Sequence, residues 1–119
     1  MKITSGVGDT VTPWYKGVHE WKVKKVATLH EPLEWDDDKH GHVGYDPKIL
    51  KLESPSLGEV LWFNYWISTD KTQGKMAHGG GPPMVEEPVF LELIREAIRQ
   101  DMFSREFLKD LKEEILIKL

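Results

Sequence analysis

The stretch Val60-Leu61-Trp62-Phe63-Asn64-Tyr65-Trp66-Ile67-Ser68 decides the fold. Aromatic and branched residues favour a pleated, packed surface, which makes this a strand. Side chains alternate between the two sides of a strand. Trp62 and Trp66 therefore share one side, while Phe63, Tyr65 and Ile67 share the other. A strand apolar on both faces is either covered on both or has one face reserved for a ligand.

Upstream, Val18 to His30 alternates nearly residue by residue. Trp21, Val23, Ala27 and Leu29 fall on one side, and Glu20, Lys22, Lys24 and Thr28 on the other. Lys25 and Val26 break the pattern. The segment reads as a half-buried strand ended by Pro32. Glu34 to His42 is polar and reads as a loop. Lys48 to Glu53 makes a second strand, and Ser54-Pro55-Ser56 a turn.

Downstream, the period changes. Residues 69–87 form a connector with Gly74 and the run Gly79-Gly80-Gly81-Pro82-Pro83, which regular structure does not tolerate. From Pro88 the period is helical. Phe90, Leu93, Ile94, Ala97, Ile98 and Met102 form one stripe, and Phe107, Leu108, Leu111 and Ile115 another. Ser104 is placed to cap the second helix, with Phe103 and Leu108 at the staple positions around it. The apolar end Ile115-Leu116-Ile117 and Leu119 is expected to dock on the sheet or on another subunit.

Together these readings give one α+β domain: a small antiparallel or mixed sheet of about three to five strands, packed by a C-terminal pair of amphipathic helices. The β-rich part spans 1–68, the Gly/Pro-rich loop 69–87 and the helices 88–119. A chain of 119 residues is long enough to enclose one core. It has no cysteine, which removes disulfides, thiolate nucleophiles and cysteine-based metal sites. The start lacks the apolar run of a secretory signal, and no segment reaches the ~20 apolar residues of a membrane span. A cytoplasmic protein is expected, with no membrane partner. One Asn, two Gln and abundant Lys and Glu lean towards a thermophilic source.

A net charge of −4 opposes charge-driven nucleic-acid binding. Lys16, Lys22, Lys24 and Lys25 form a local basic patch, but residues 86–119 carry nine acids against six bases.

Three stretches could carry chemistry. In Lys75-Met76-Ala77-His78-Gly79-Gly80-Gly81, glycine backbone could approach an anion, with Lys75 holding it and His78 acting as general acid or base. The spacing is neither a phosphate-binding P-loop nor a dinucleotide fingerprint. The string His78-Gly79-Gly80-Gly81 matches an esterase oxyanion motif, but no Gly-x-Ser-x-Gly accompanies it. The plain alternative is a flexible surface loop.

In Asp36-Asp37-Asp38-Lys39-His40-Gly41-His42, the residues Asp38, His40 and His42 could ligate a transition metal. Pro47 at the twelfth position spoils a calcium loop, and the plain alternative is solvated acidic surface. Trp62 and Trp66 could form a stacking platform, or fill the core.

No motif names a cofactor or a reaction. The reading that needs least is a binding or interaction protein that self-associates through its helices or its sheet. An enzyme for an anionic substrate (Lys75, His78, with Gly79, Gly80, Gly81) and a metal-binding protein (Asp38, His40, His42) are the alternatives.

Overall fold

The computed structural model describes residues 6–79 and 81–119. In chain order the elements are β1 Thr10–Val11, β2 Trp21–Thr28, β3 Leu33–Asp37, β4 Gly41–Ser54, β5 Gly58–Ser68, β6 Ala77–His78, α1 Glu87–Arg99 and α2 Arg105–Lys118. The strands form a six-stranded, wholly antiparallel, curled sheet in the order β1-β2-β4-β5-β6, with β3 also paired to β4. This is the expected α+β class with more strands than the expected range. The extra ones are two-residue β1 and β6, too short to show a period, and β3, which is too polar to show a buried face.

β4 and β5 are the spine. They pair from Gly44–Ser68 to Ser54–Gly58 without a break. The other edge of β4 is shared: β3 pairs with residues 41–45 and β2 with residues 48–53. Pro47 falls between the two partners, where its missing N–H deprives no ladder. The segment read as an acidic loop is in fact the β3–β4 hairpin. Gly41 turns it at φ +74°, and any side chain there would strike Asp70 of the following short 3-10 turn.

Both faces of the sheet carry core, the first of the two arrangements that the two-sided pattern of β5 allows. On one face Ala27, Leu29 and Ile49 meet Leu93, Ala97 and Met102, with Phe63 packed alongside. On the other, Trp21, Val23, Leu50, Leu52 and Trp66 cluster under Val11, Val18, Trp62 and Met76. The anomaly at Lys25 and Val26 is a β-bulge. Val23 pairs with Leu52 and Lys25 with Lys51, so Lys24 is an extra residue. One inserted residue swaps faces for everything after it. Trp21, Val23 and Val26 thus share one core, and Ala27 and Leu29 join the other.

The bulge also turns Lys25 towards the helices. Its ammonium donates to the Asp101 carbonyl at 3.2 Å, and Lys51 donates to the Met102 carbonyl at 3.0 Å. These are carbonyls just past the end of α1, where cations complement the helix dipole. Asp101 adopts φ +55°; Met102 N–H bonds Ala97 O and Asp101 N–H bonds Ile98 O, a Schellman ending.

α2 then starts cleanly. The Ser104 hydroxyl accepts from Phe107 N–H at 3.0 Å. No residue of α2 is buried. The expected docking of its apolar end on the sheet is not made: Ile115, Leu116 and Leu119 are 49%, 60% and 96% exposed. The radius of gyration, 15.8 Å, exceeds the roughly 13–14 Å of a compact chain this long. No described helix is long and apolar enough to cross a membrane.

Candidate functional site

The glycine loop lands on the edge of the sheet. β6 pairs Trp66 with His78, so His78 lies beside the tryptophans of β5. Its ring is 5.4 Å from Trp62 and 5.6 Å from Trp66. Trp66 is buried; Trp62 is partly buried against it. The Asn64 amide explains the ring's state. Asn64 Oδ1 accepts from Tyr65 N–H at 2.8 Å, so its Nδ2 faces His78 Nε2 at 2.6 Å and donates. His78 Nε2 is therefore the acceptor nitrogen, and the proton of the neutral ring sits on Nδ1. Beyond Trp66, the nearly buried Lys48 lies 5.1 Å over its ring and 3.5 Å from Asp46, which also accepts from Thr28 Oγ1.

This array is satisfied rather than poised. The nitrogen that would take a proton already accepts a hydrogen bond from the Asn64 amide. No carboxylate or hydroxyl contacts His78 among the described residues, and Lys75 is exposed with no contact to it. Gly79 does not present its N–H to an anion; that group bonds Tyr65 O at 2.9 Å. Gly79 is a glycine because it lies flat against the Tyr65 ring, where a Cβ would collide. Gly80 lies outside the described residues, and Gly81 is exposed in open space.

The acid–histidine stretch forms two separate ion-pair sets on the β3–β4 hairpin. His42 Nε2 meets Glu34 at 2.9 Å and Nδ1 meets Asp36 at 3.0 Å. Two donating nitrogens require the imidazolium. The Glu34 and then the Asp36 carboxylate hold His42 above its ordinary pKa. His40 instead pairs with Asp37 at 3.2 Å. The Lys39 N–H, then His40, hold Asp37 below the usual carboxylate range. Asp38 is exposed at the turn. Asp38, His40 and His42 do not converge, and no group of three potential ligands is placed to hold a metal ion among the described residues. The basic patch is likewise dispersed: Lys24 faces Glu53 at 3.8 Å, and Lys25 is spent on α1.

Sequence reading missed a row of rings on the α1 side of the sheet. Tyr45 stacks on Tyr65 at 4.8 Å, and Trp35 lies 5.9 Å from Tyr45, tilted by 47°. With Leu33, Ile67, Pro82 and Met84 they line a cleft of about 510 Å³, bordered by Glu34 and Glu86. The strap after the glycines closes one side, its Met84 N–H donating to the Tyr45 hydroxyl at 3.1 Å. Burial pushes the Tyr45 phenol up. The signal was parity: Leu33, Trp35, Tyr45, Tyr65 and Ile67 share a face once the registers Leu33–Tyr45 and Tyr45–Ile67 are known. Compared with known proteins, the chain matches no family model, no curated protein and no solved structure at a significant level.

Proposed function

We propose that the protein is a binding module that works as a homodimer, assembled through α2. The observation that carries this is a capped, fourteen-residue amphipathic helix with nothing buried. A helix of this length is marginal alone in water; packing of its apolar face is what stabilises it. That face is uncovered within one chain. Phe107, Leu111 and Ile115 are each exposed by a third or more, so the stripe is open to a second copy along its whole length.

The charges favour a second copy as the occupant. With 3.6 residues per turn, Phe107, Leu111 and Ile115 make a stripe. Asp110 and Glu114 fall on one flank of it, and Arg105 and Lys112 on the other. Two copies side by side in the same direction, about a two-fold axis along the helix, set the acidic flank of each against the basic flank of the other. Lys112 then lies between Asp110 and Glu114 of its twin.

The test is a charge swap read by light scattering. Lys112→Glu should weaken the dimer several-fold, and adding Asp110→Lys and Glu114→Lys should restore it. Equal mass distributions for all variants and the native chain would overturn the pairing. An enzymatic reading has less support, because among the described residues no carboxylate or hydroxyl contacts His78. A metal-binding reading has less support, because the three proposed ligands are apart.

A further inference from the structure

We infer that the cleft between Trp35, Tyr45 and Tyr65 is a binding site for a small organic cation carrying apolar groups, such as a quaternary ammonium. The inference does not depend on the dimer.

Size comes first. The cleft, about 510 Å³, lies within the range that holds small molecules. Its walls come from three paired strands and from the irregular Pro82–Glu86 strap, which is tied to the sheet by the bond from Met84 N–H to the Tyr45 hydroxyl. Gly79 supports this frame: its contact with the Tyr65 ring and its bond to Tyr65 O fix one wall.

Chemistry selects the charge. Three aromatic rings line the cleft; Tyr65 has Gly79 on one face and Tyr45 stacked on the other, so Trp35 and Tyr45 supply the faces whose partial negative charge attracts a cation. Trp35, the strongest such surface, is 44% exposed and therefore open to a ligand. The tilt between Trp35 and Tyr45 sets two of these faces at an angle rather than in one plane. No lysine, arginine or histidine lines the cleft to compete.

Two kinds of acid act on it differently. The Glu34 carboxylate is turned to His42 on the other side of the strand and is not offered to the cleft. Glu86 is the N-cap residue of α1, yet its side chain makes no cap hydrogen bond, which leaves it available at the rim. Glu86 and Glu87 at the start of α1 favour a cation over an anion at the rim, whereas Asp36 and Asp37 on the neighbouring hairpin are already paired with His42 and His40. The remaining walls, Leu33, Ile67, Pro82 and Met84, are apolar. They would solvate methyl groups well and a strongly hydrated ion such as sodium poorly.

The test compares choline with 3,3-dimethylbutan-1-ol, its uncharged isostere, by NMR titration of the Trp35 indole N–H in the full chain. Choline should shift this signal saturably and bind about ten-fold more tightly than the alcohol. Trp35→Leu keeps apolar bulk and removes the ring; it should weaken choline about ten-fold, whereas Trp35→Phe should keep most of the affinity. Glu86→Gln should weaken choline and leave the alcohol unchanged. The same results are expected in a chain made monomeric at α2, which separates this claim from the one above. Equal affinity for the two probes, choline binding unaffected by Trp35→Leu, or no saturable shift with choline would each overturn it.

Discussion

The two helices have similar lengths and similar stripes, yet they meet opposite fates. α1 buries Leu93 and Ala97 in the sheet, and its end is held by a Schellman turn and by two lysine ammonium groups reaching from β2 and β4. α2 has the better N-cap and buries nothing. Capping fixes where a helix starts; it does not say what the helix packs on. That difference makes α1 a part of the fold and leaves the apolar stripe of α2 uncovered, the surface on which the proposed dimer would form.

The sharpest way to break this comparison is to truncate one leucine in each helix. Leu93→Ala should cost about 2–5 kcal/mol of unfolding free energy, the range for a fully buried leucine. Leu111→Ala should stay within about 0.5 kcal/mol in the dilute monomer, as exposed substitutions do. Urea unfolding at low protein concentration measures both. Comparable losses would mean that α2 is packed within its own chain.

A smaller effect is expected at the pinned end of α1. Lys51→Met removes a partly buried donor from the Met102 carbonyl and should cost about 1–2 kcal/mol. Smaller still in global terms is Ser104→Ala. It should take about 1 kcal/mol from α2 alone. Faster amide exchange confined to residues 105–118, with an unchanged melting temperature in the dilute monomer, is the expected outcome.

The smallest effect belongs to neither helix and serves as their control. His42 has its pKa raised in the folded hairpin above 6.5. Its stabilising contribution is therefore complete below that value and is lost as pH rises through the folded-state pKa. Because the ring is exposed and its ion pairs lie at the surface, the change should be a local loosening of the β3–β4 hairpin. NMR titration of His42 should show the raised value, and Glu34→Gln with Asp36→Asn should return it towards 6.5. Dimerisation through α2 should be unchanged by this pair of substitutions. A parallel shift in association would tie the hairpin to the interface and blur the contrast.

Much of this was legible because period and capping are local. The two-sided pattern of Val60–Ser68 marked a strand with cores on both faces or with one face left for a ligand, and Ser104 marked the start of α2 one residue before it. What stayed hidden depends on register. The bulge at Lys24 looked like two misplaced residues until the ladder showed one inserted residue. The β3 strand looked like a loop because its polar side chains are satisfied by His42 rather than by burial. Trp35, Tyr45 and Tyr65 sit on three strands, far apart in sequence, and only pairing joins them. In sequence Gly79 fits either an approach to an anion or a flexible surface loop. It is flat packing against a ring, which one sequence cannot distinguish from a ligand cradle.

The most direct measurement is sedimentation velocity of the native chain over a wide concentration range, alongside Leu111→Asp. The native chain should convert from monomer to dimer as concentration rises. Leu111→Asp should remain monomeric with its sheet and α1 intact by circular dichroism. A native chain that is monomeric throughout, or a dimer indifferent to Leu111→Asp, would contradict the assignment of α2 as the surface on which two copies meet.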